Sequence, residues 1–459
     1  MINKFKVLVY GGGAREHALV WKIKQSPLLE KLYLCKPNDG FAELGEVIDA
    51  ENFAELAEKS KNLGINLLVV GPEDPLANGI VDEFKNAGIP CVGVDKKWAK
   101  LESSKSFAKE FMERNSIPTA RYKVVTSFCH PDQKGIITSI PKGTDSSAMP
   151  QNDIFSVLDE FNLPVVLKAD GLAAGKGVFI AQARGEAEAV LEEFLEGKYG
   201  EASKKIVVEE FLEGSEISLI SLWDGKNLLP LIPARDYKRL LAGNEGPNTG
   251  GMGAYCPVSL TLEEYTSIDE YTNLLKQALL NEKADFVGIV YSGLMMTKDG
   301  VKVLEYNMRF GDPETQPLLM HLNSDLLEVF VKATEQKLDE VELKWKSAQT
   351  FCVVVAAQGY PENPVKDGEI LNIEEVAKNN EVNVFYAGVK KHNGKLLANG
   401  GRVLSVCKNG ITAQKDIYDA IDQLVYEDKI YRKDIGEVNI FGKGCCKNEG
   451  TCGNCGVGK

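Results

Sequence analysis

Lys168 closes an apolar run and opens a glycine-rich stretch, LKADGLAAGKGV (residues 167–178), and a carboxylate and an amide follow far downstream in LEYNMRFGDPETQ (residues 304–316). Gly171, Gly175 and Gly177 let backbone N–H groups approach phosphate oxygens, while Lys168 and Lys176 put positive charge on the same loop. Glu305 and Asn307 are hard oxygen donors of the kind that Mg²⁺ or Mn²⁺ takes. One segment suits the anion and the other the cation that neutralises it, so together they predict a nucleoside triphosphate site. The run before Glu305 is β-like, and strand residues two apart share a face. Arg309 joins that face if the strand continues, which places a guanidinium where charge develops on a transferring phosphoryl group. A solvated strand edge is the plainer reading of these three residues taken alone; the lysine loop argues against it.

The elements that must carry these residues read as α/β. With 459 residues, 44% of them hydrophobic, the chain is expected to form two to four domains. Residues 6–10 form a short strand, 11–13 a tight turn and 16–24 a helix; strand 67–70 ends in GPEDP, helix 80–87 follows, and another strand lies near Cys91. That alternation predicts a parallel sheet over 1–103 with functional loops at strand C-termini, here Gly71 and Glu73. The first loop, Gly11-Gly12-Gly13-x-x-Glu16, has glutamate where a dinucleotide fingerprint needs its third glycine. A glycine turn entering a helix still presents N–H groups and the helix dipole to a phosphate monoester, although a purely structural turn reads the same way. One helix is expected over 101–114, carrying Lys105, followed by a surface insertion or linker at 127–151. Strands at 165–167 and 178–181 flank the glycine loop, a helix starts near 186, and strand 206–208 ends in Glu209, Glu210, Phe211 and Leu212, which suits an adenine pocket. GPNTGGMGAY (246–255) reads as a ligand loop rather than a spacer, because Asn248, Thr249 and Tyr255 add hydrogen-bonding side chains. A last α/β piece opens with strand 351–357 and closes near Gly436.

A net charge of −13 argues against a nucleic-acid partner, whose binding is driven by Lys and Arg. No apolar run has membrane-spanning length, and residues 7–10 are too short for a signal peptide, so a cytoplasmic protein is expected. Cys35, Cys91, Cys129, Cys256, Cys352 and Cys407 are scattered like core hydrophobes in a reducing compartment. Cys445, Cys446, Cys452 and Cys455 crowd the last fifteen residues; they meet the ligand count for zinc or an iron-sulfur centre, or else belong to a disordered tail with incidental thiols.

KADGLAAGKGV, EEFLEG, GPNTGGMGAY and EYNMRFGDPETQP, with VYGGGAREHA and KLESSKSFAKEFM upstream, resemble the glycinamide ribonucleotide synthetases, phosphoribosylamine–glycine ligases of the ATP-grasp superfamily, over about residues 6–436. The resemblance implies an N-terminal α/β domain (1–103), a two-part ATP-grasp region (104–346) with a flap subdomain at about 123–205, a C-terminal α/β domain (347–436) and an appended tail (437–459). It implies ligation of glycine to 5-phosphoribosylamine at the expense of ATP with Mg²⁺ or Mn²⁺, in purine synthesis, by a monomer acting on small molecules. Lys105 and Lys168 would bind ATP phosphates, the loop from Gly171 through Gly175 and Lys176 to Gly177 would cover them, Glu209, Glu210, Phe211 and Leu212 would hold adenine, and Glu216 would lie near the ribose. Glu305 and Asn307 would ligate the metal, with Arg309 and Lys168 catalytic. Gly11, Gly12, Gly13, Glu16, Gly71 and Glu73 would face the phosphoribosyl substrate, Gly250, Gly251, Met252, Gly253 and Asp312 would surround the acceptor, and Asp236 would meet the glycine ammonium. Other ATP-grasp ligases and carboxylases, or a non-catalytic nucleotide sensor, are the alternatives; GPNTGGMGAY and GGGAREH argue against the first, and the presence of Glu305, Asn307 and Arg309 together against the second. The strand before Glu305 lacks the acidic metal ligand that many ATP-grasp enzymes carry there.

Overall fold

The computed structural model describes residues 4–130, 133–138, 154–171, 177–198 and 200–436. Its first sheet is parallel, ordered Glu46–Val47, Leu29–Cys35, Phe5–Tyr10, Leu67–Val70, Cys91–Val92. Leu67–Val70 is LLVV with every residue buried, the pattern of a strand covered on both faces. From Phe5–Tyr10 the chain first adds strands on one side and later on the other. The loops after Tyr10 and Val70 therefore diverge from neighbouring strand ends, and the crevice between them holds Gly11–Gly13 and Gly71–Glu73.

Two antiparallel sheets follow. One runs Gln133–Thr138, Tyr122–His130, Lys205–Glu210, Val165–Ala169, Val178–Ala181, with helix Arg184–Leu195 packed on it. Residues 127–130 and 133–138 thus extend this sheet as a strand pair where an irregular insertion or linker is expected; residues 131–132 and 139–153 lie outside the described residues. What makes these strands is the backbone ladder they form with each other beyond Val125 and Thr126, a pairing that composition does not contain. The other sheet runs Leu228–Pro230, Ser215–Trp223, Gly288–Thr297, Gly300–Asn307, and helix Leu262–Asn281 covers it behind a Thr261–Glu264 capping box.

The expected single helix at 101–114 is two, Lys100–Ser103 and Lys105–Arg114. Ser104 is extended (φ −143°) and its hydroxyl caps Phe107 N–H, so Lys105 becomes the first residue of the second helix. The last sheet, Arg235–Asp236, Gly253–Cys256, Thr350–Ala357, Arg402–Asn409, Asn383–Tyr386, with Lys429–Ile430 beside Thr350–Ala357, crosses the boundary expected at 346/347. Two of its strands come from the glycine-rich run and the segment before it. No helix among the described residues is long and apolar enough to cross a membrane.

Candidate active site

Lys168 lies on Val165–Ala169 and points across to the neighbouring sheet. Its ammonium is 2.9 Å from Glu209 Oε2 and donates to the Leu304 carbonyl at 3.2 Å, next to Glu305. Glu209 also faces Lys109, at 3.2 Å, and all three side chains are buried. Two cations around one carboxylate leave net positive charge directed at the cleft. Burial, opposed by Glu209, lowers Lys109 to about 8. Lys105 donates to the Gly171 carbonyl (3.2 Å), and burial lowers its pKa. Asp170 binds the start of the glycine loop to the helix start, accepting from Ser106 N–H (2.5 Å) and the Ser104 hydroxyl (3.0 Å). Glu210 pairs with Lys302 at 3.3 Å, Phe211 is exposed and Leu212 is at the edge of burial. Gly175 and Lys176 lie outside the described residues.

Glu305 and Asn307 stand opposite Gly293 and Tyr291 across the sheet, and an irregularity at Leu304 precedes them. Their two-residue spacing therefore does give one face. The strand stops at Asn307, so Arg309 does not continue it; a bend returns its guanidinium to 3.4 Å from Asn307 Oδ1. Glu102 holds that bend, accepting Met308 N–H at 2.7 Å and pairing with Arg309 at 3.0 Å, while Glu73 lies 3.4 Å from Arg309 Nε. Lys238 reaches into the same face, 2.5 Å from Glu216 and 3.4 Å from Glu305. Desolvation in the cleft would raise Glu305, but Lys238, Lys168 and Lys105 outweigh it and hold the carboxyl down at about 2. Asp236 goes the other way: burial, with Glu314, Glu216 and Glu305 nearby, pushes it up to about 8 against the pull of Lys238.

The Gly11–Gly13 turn differs from the expected open glycine cradle. Glu16 fills it, accepting Gly13 N–H at 2.5 Å and Arg15 Nε–H at 2.6 Å. A Cβ on Gly71 would lie 2.0 Å from Glu16 Oε1, and one on Gly13 2.7 Å from Oε2, so these glycines make room for a carboxylate of the chain itself. Gly12 is closed by backbone, its Cβ position 2.5 Å from the Lys36 carbonyl. Gly250 is gripped on both sides, N–H to the Tyr360 hydroxyl (2.9 Å) and carbonyl to Arg402 (2.6 Å). Arg402 also pairs with Asp312 at 2.8 Å, which holds that carboxyl low despite burial. Gly251 takes φ +113° with its Cβ position 2.5 Å from Pro313, Met252 is buried, and Gly253 lies in the strand against Cys352.

Lys109, Glu102, Lys238, Arg15 and Arg402 were not singled out from the sequence. Glu102 lies in KLESSK with Lys105, and Lys238 in ARDYKR with Asp236, so proximity in sequence was the available signal for those two. Among the described residues no group of three or more His, Cys, Asp and Glu is placed to hold a metal ion; the four tail cysteines lie outside them. One ionised carboxylate plus one amide oxygen suits a magnesium-type ion that takes its remaining oxygens from phosphates and water. The ammonium of Lys238 already stands beside Glu305 as a cation.

Lys168 on one antiparallel sheet and Lys105 on the helix start beside it, facing a carboxylate–amide pair on another sheet, define the ATP-grasp class of enzyme. The biotin carboxylase of Campylobacter jejuni has that fold too, with a TM-score of 0.64 at 13% identity over 93% of each chain. Three models of the phosphoribosylglycinamide synthetase family match: the N domain at residues 5–102, the ATP-grasp (A) domain at 134–315 and the C domain at 350–438. The phosphoribosylamine–glycine ligase of Brucella melitensis is 41% identical over 438 residues, covering 94% of this chain and 97% of that one. Its counterpart in Halalkalibacterium halodurans is 40% identical over 444 residues, 95% and 97% of the two chains. The crystal structure of the Thermotoga maritima phosphoribosylamine–glycine ligase superposes with a TM-score of 0.74 at 31% identity, covering 94% and 99%. The chain belongs to the phosphoribosylglycinamide synthetase family.

Proposed function

We propose that this protein ligates glycine to 5-phosphoribosylamine, converting ATP to ADP and phosphate through glycyl phosphate, as a step of purine synthesis. The observation that carries the reading is the meeting of Lys105 and Lys168 with Glu305, Asn307 and Arg309 in one cleft. A carboxylate is a poor electrophile. The glycine carboxylate attacks the γ-phosphorus, ADP leaves, and the amine of phosphoribosylamine then attacks the activated carbonyl and expels phosphate. Lys168 and Lys105 draw charge from the ATP phosphates, and Arg309, held by Glu102 and Glu73, faces the oxygens of the transferring group. Mg²⁺ or Mn²⁺ on Glu305 and Asn307 would neutralise the same oxygens.

Glu209, Glu210, Phe211 and Leu212 take adenine, Glu216 lies toward the ribose, and the Gly171–Gly177 loop covers the phosphates. Asp236 receives the glycine ammonium, whose charge favours the ionised carboxylate that its neighbours oppose. Gly250–Gly253 and Asp312 surround the acceptor, and Gly11–Gly13, Glu16, Gly71 and Glu73 form the wall against which phosphoribosylamine lies. The working divisions are 1–103, 104–346 with its flap at about 123–205, 347–436 and the 437–459 tail, in a cytoplasmic monomer. The test is ADP formation from ATP, Mg²⁺, glycine and freshly made phosphoribosylamine, omitting each in turn. Dependence on both glycine and the amine supports the ligase; ADP release indifferent to either would refute it.

A further inference from the structure

We propose that Lys238 is the resident counter-cation of the metal site: in the nucleotide-free protein its ammonium holds Glu216 and Glu305 together and excludes a bare divalent ion, which enters only with the nucleotide. This rests on reading Glu305 as the metal donor.

The two carboxylates come from different strands of one sheet. Glu216 lies on Ser215–Trp223 and Glu305 on Gly300–Asn307, with Gly288–Thr297 between them. Lys238 comes from outside that sheet and bridges both, at 2.5 Å and 3.4 Å. Its backbone is fixed, because the carbonyl accepts both the N–H and the hydroxyl of Thr249, at 2.7 Å and 2.8 Å. The preceding strand is tied to Gly253–Cys256 through the Asp236–Ala254 pair. Only the flexible side chain can move, and a lysine stem with a compact charge is suited to that.

Lys238 is the cation that meets Glu216 and Glu305, and Asp236 adds negative charge nearby. A bare Mn²⁺ approaching Glu305 meets an ammonium in contact with the same carboxylate, and like charges at such distances repel strongly in a cleft of low dielectric. A metal–nucleotide complex carries net negative charge. Its phosphates give the ammonium a new partner while the metal takes Glu305, so the complex is admitted where the free ion is refused.

The experiment titrates nucleotide-free protein with Mn²⁺ and reads free Mn²⁺ by electron paramagnetic resonance. Lys238→Met should bind Mn²⁺ at least about tenfold more tightly than the unmodified protein, and adding Glu305→Gln to that variant should abolish the gain. Mn²⁺ binding by a folded Lys238→Met protein no tighter than by the original would overturn the proposal, as would a gain that survives Glu305→Gln. Should Lys238→Met lack a cooperative melting transition, Lys238→Gln, which can still hydrogen-bond Glu216, carries the same comparison. A separate arm measures Mn²⁺ binding by Glu305→Gln alone in the presence of ATP: undiminished affinity there would sink the assignment of Glu305 as donor, and is distinguishable from failure of the exclusion.

Discussion

On the proposed function, charge at Glu305 is what the metal and the transferring phosphoryl group depend on. The carboxyl is held at about 2 by three lysines, so it is ionised throughout the range in which the protein would work. Glu305→Gln keeps the shape and removes the charge; turnover is expected to fall at least about 10²-fold, measured as glycine-dependent ADP release. Glu305 and Asn307 could be read in the sequence because the strand repeat alone aligns them. Glu16 could not, since its partners Gly13 and Gly71 lie on two different loops and the glycines look like an open anion nest until the fold puts a carboxylate into it. This changes what a substitution there reports. A side chain at Gly12 strikes the Lys36 carbonyl before it can repel any phosphate. Gly71→Ala is the more informative change, because its methyl group would press on Glu16 Oε1. We expect it to lower stability by about 1–3 kcal/mol in denaturant titrations and to raise the KM for the amine more than that for ATP; a stable variant with unchanged kinetics would show that Glu16 moves aside freely.

At the scale of elements, the break at Ser104 governs the nucleotide end. Hydrophobic periodicity runs through residues 101–114, which is why one helix was expected. The extended Ser104 and the grip of Asp170 on Ser106 N–H are tertiary events that periodicity does not contain. Together they set Lys105 at a helix start facing Gly171. Asp170→Ala removes that grip; the expected result is a several-fold higher KM for ATP with a stability loss of about 1 kcal/mol, as for a lost cap, seen in initial rates and in urea melts. The pairing of 127–130 with 133–138 is not legible in the sequence for a related reason, since a stretch rich in Ser, Pro, Gly and Thr with little periodicity reads as a loop until its backbone ladder is seen.

Across the whole molecule, the C-terminal part closes on the glycine run. Arg402 reaches Gly250, Asp312 and their loop from a strand of the last sheet, and no sequence motif tied it to either. Arg402→Met should reduce kcat/KM for the amine by at least about tenfold, consistent with a lost charged hydrogen-bond pair, while ADP binding by calorimetry stays within about twofold. A second joint lies at His17, which stacks between Phe41 and Tyr386 and accepts Tyr386 N–H at 2.9 Å. Burial pushes it down to about 3 from 6.5. Between those values the unfolded chain binds a proton that the folded chain does not, so this site's stability is fully present above 6.5 and is lost as pH falls toward 3. His17→Gln, whose amide oxygen can still accept the N–H, should flatten the acid limb of the stability–pH curve by up to about one proton; an unchanged slope would place the linkage elsewhere. The sheet that joins Gly253–Cys256 to Thr350–Ala357 has a last consequence, which concerns time. During synthesis the ATP-facing strands leave the ribosome well before the strand that must pair beside the glycine run, and Arg402 follows later still. A nascent chain can therefore bring out its lysines and Glu305 while the partner strand of the glycine run is still unmade, so on the proposed function productive use of ATP waits on the emergence of Thr350–Ala357 and Arg402.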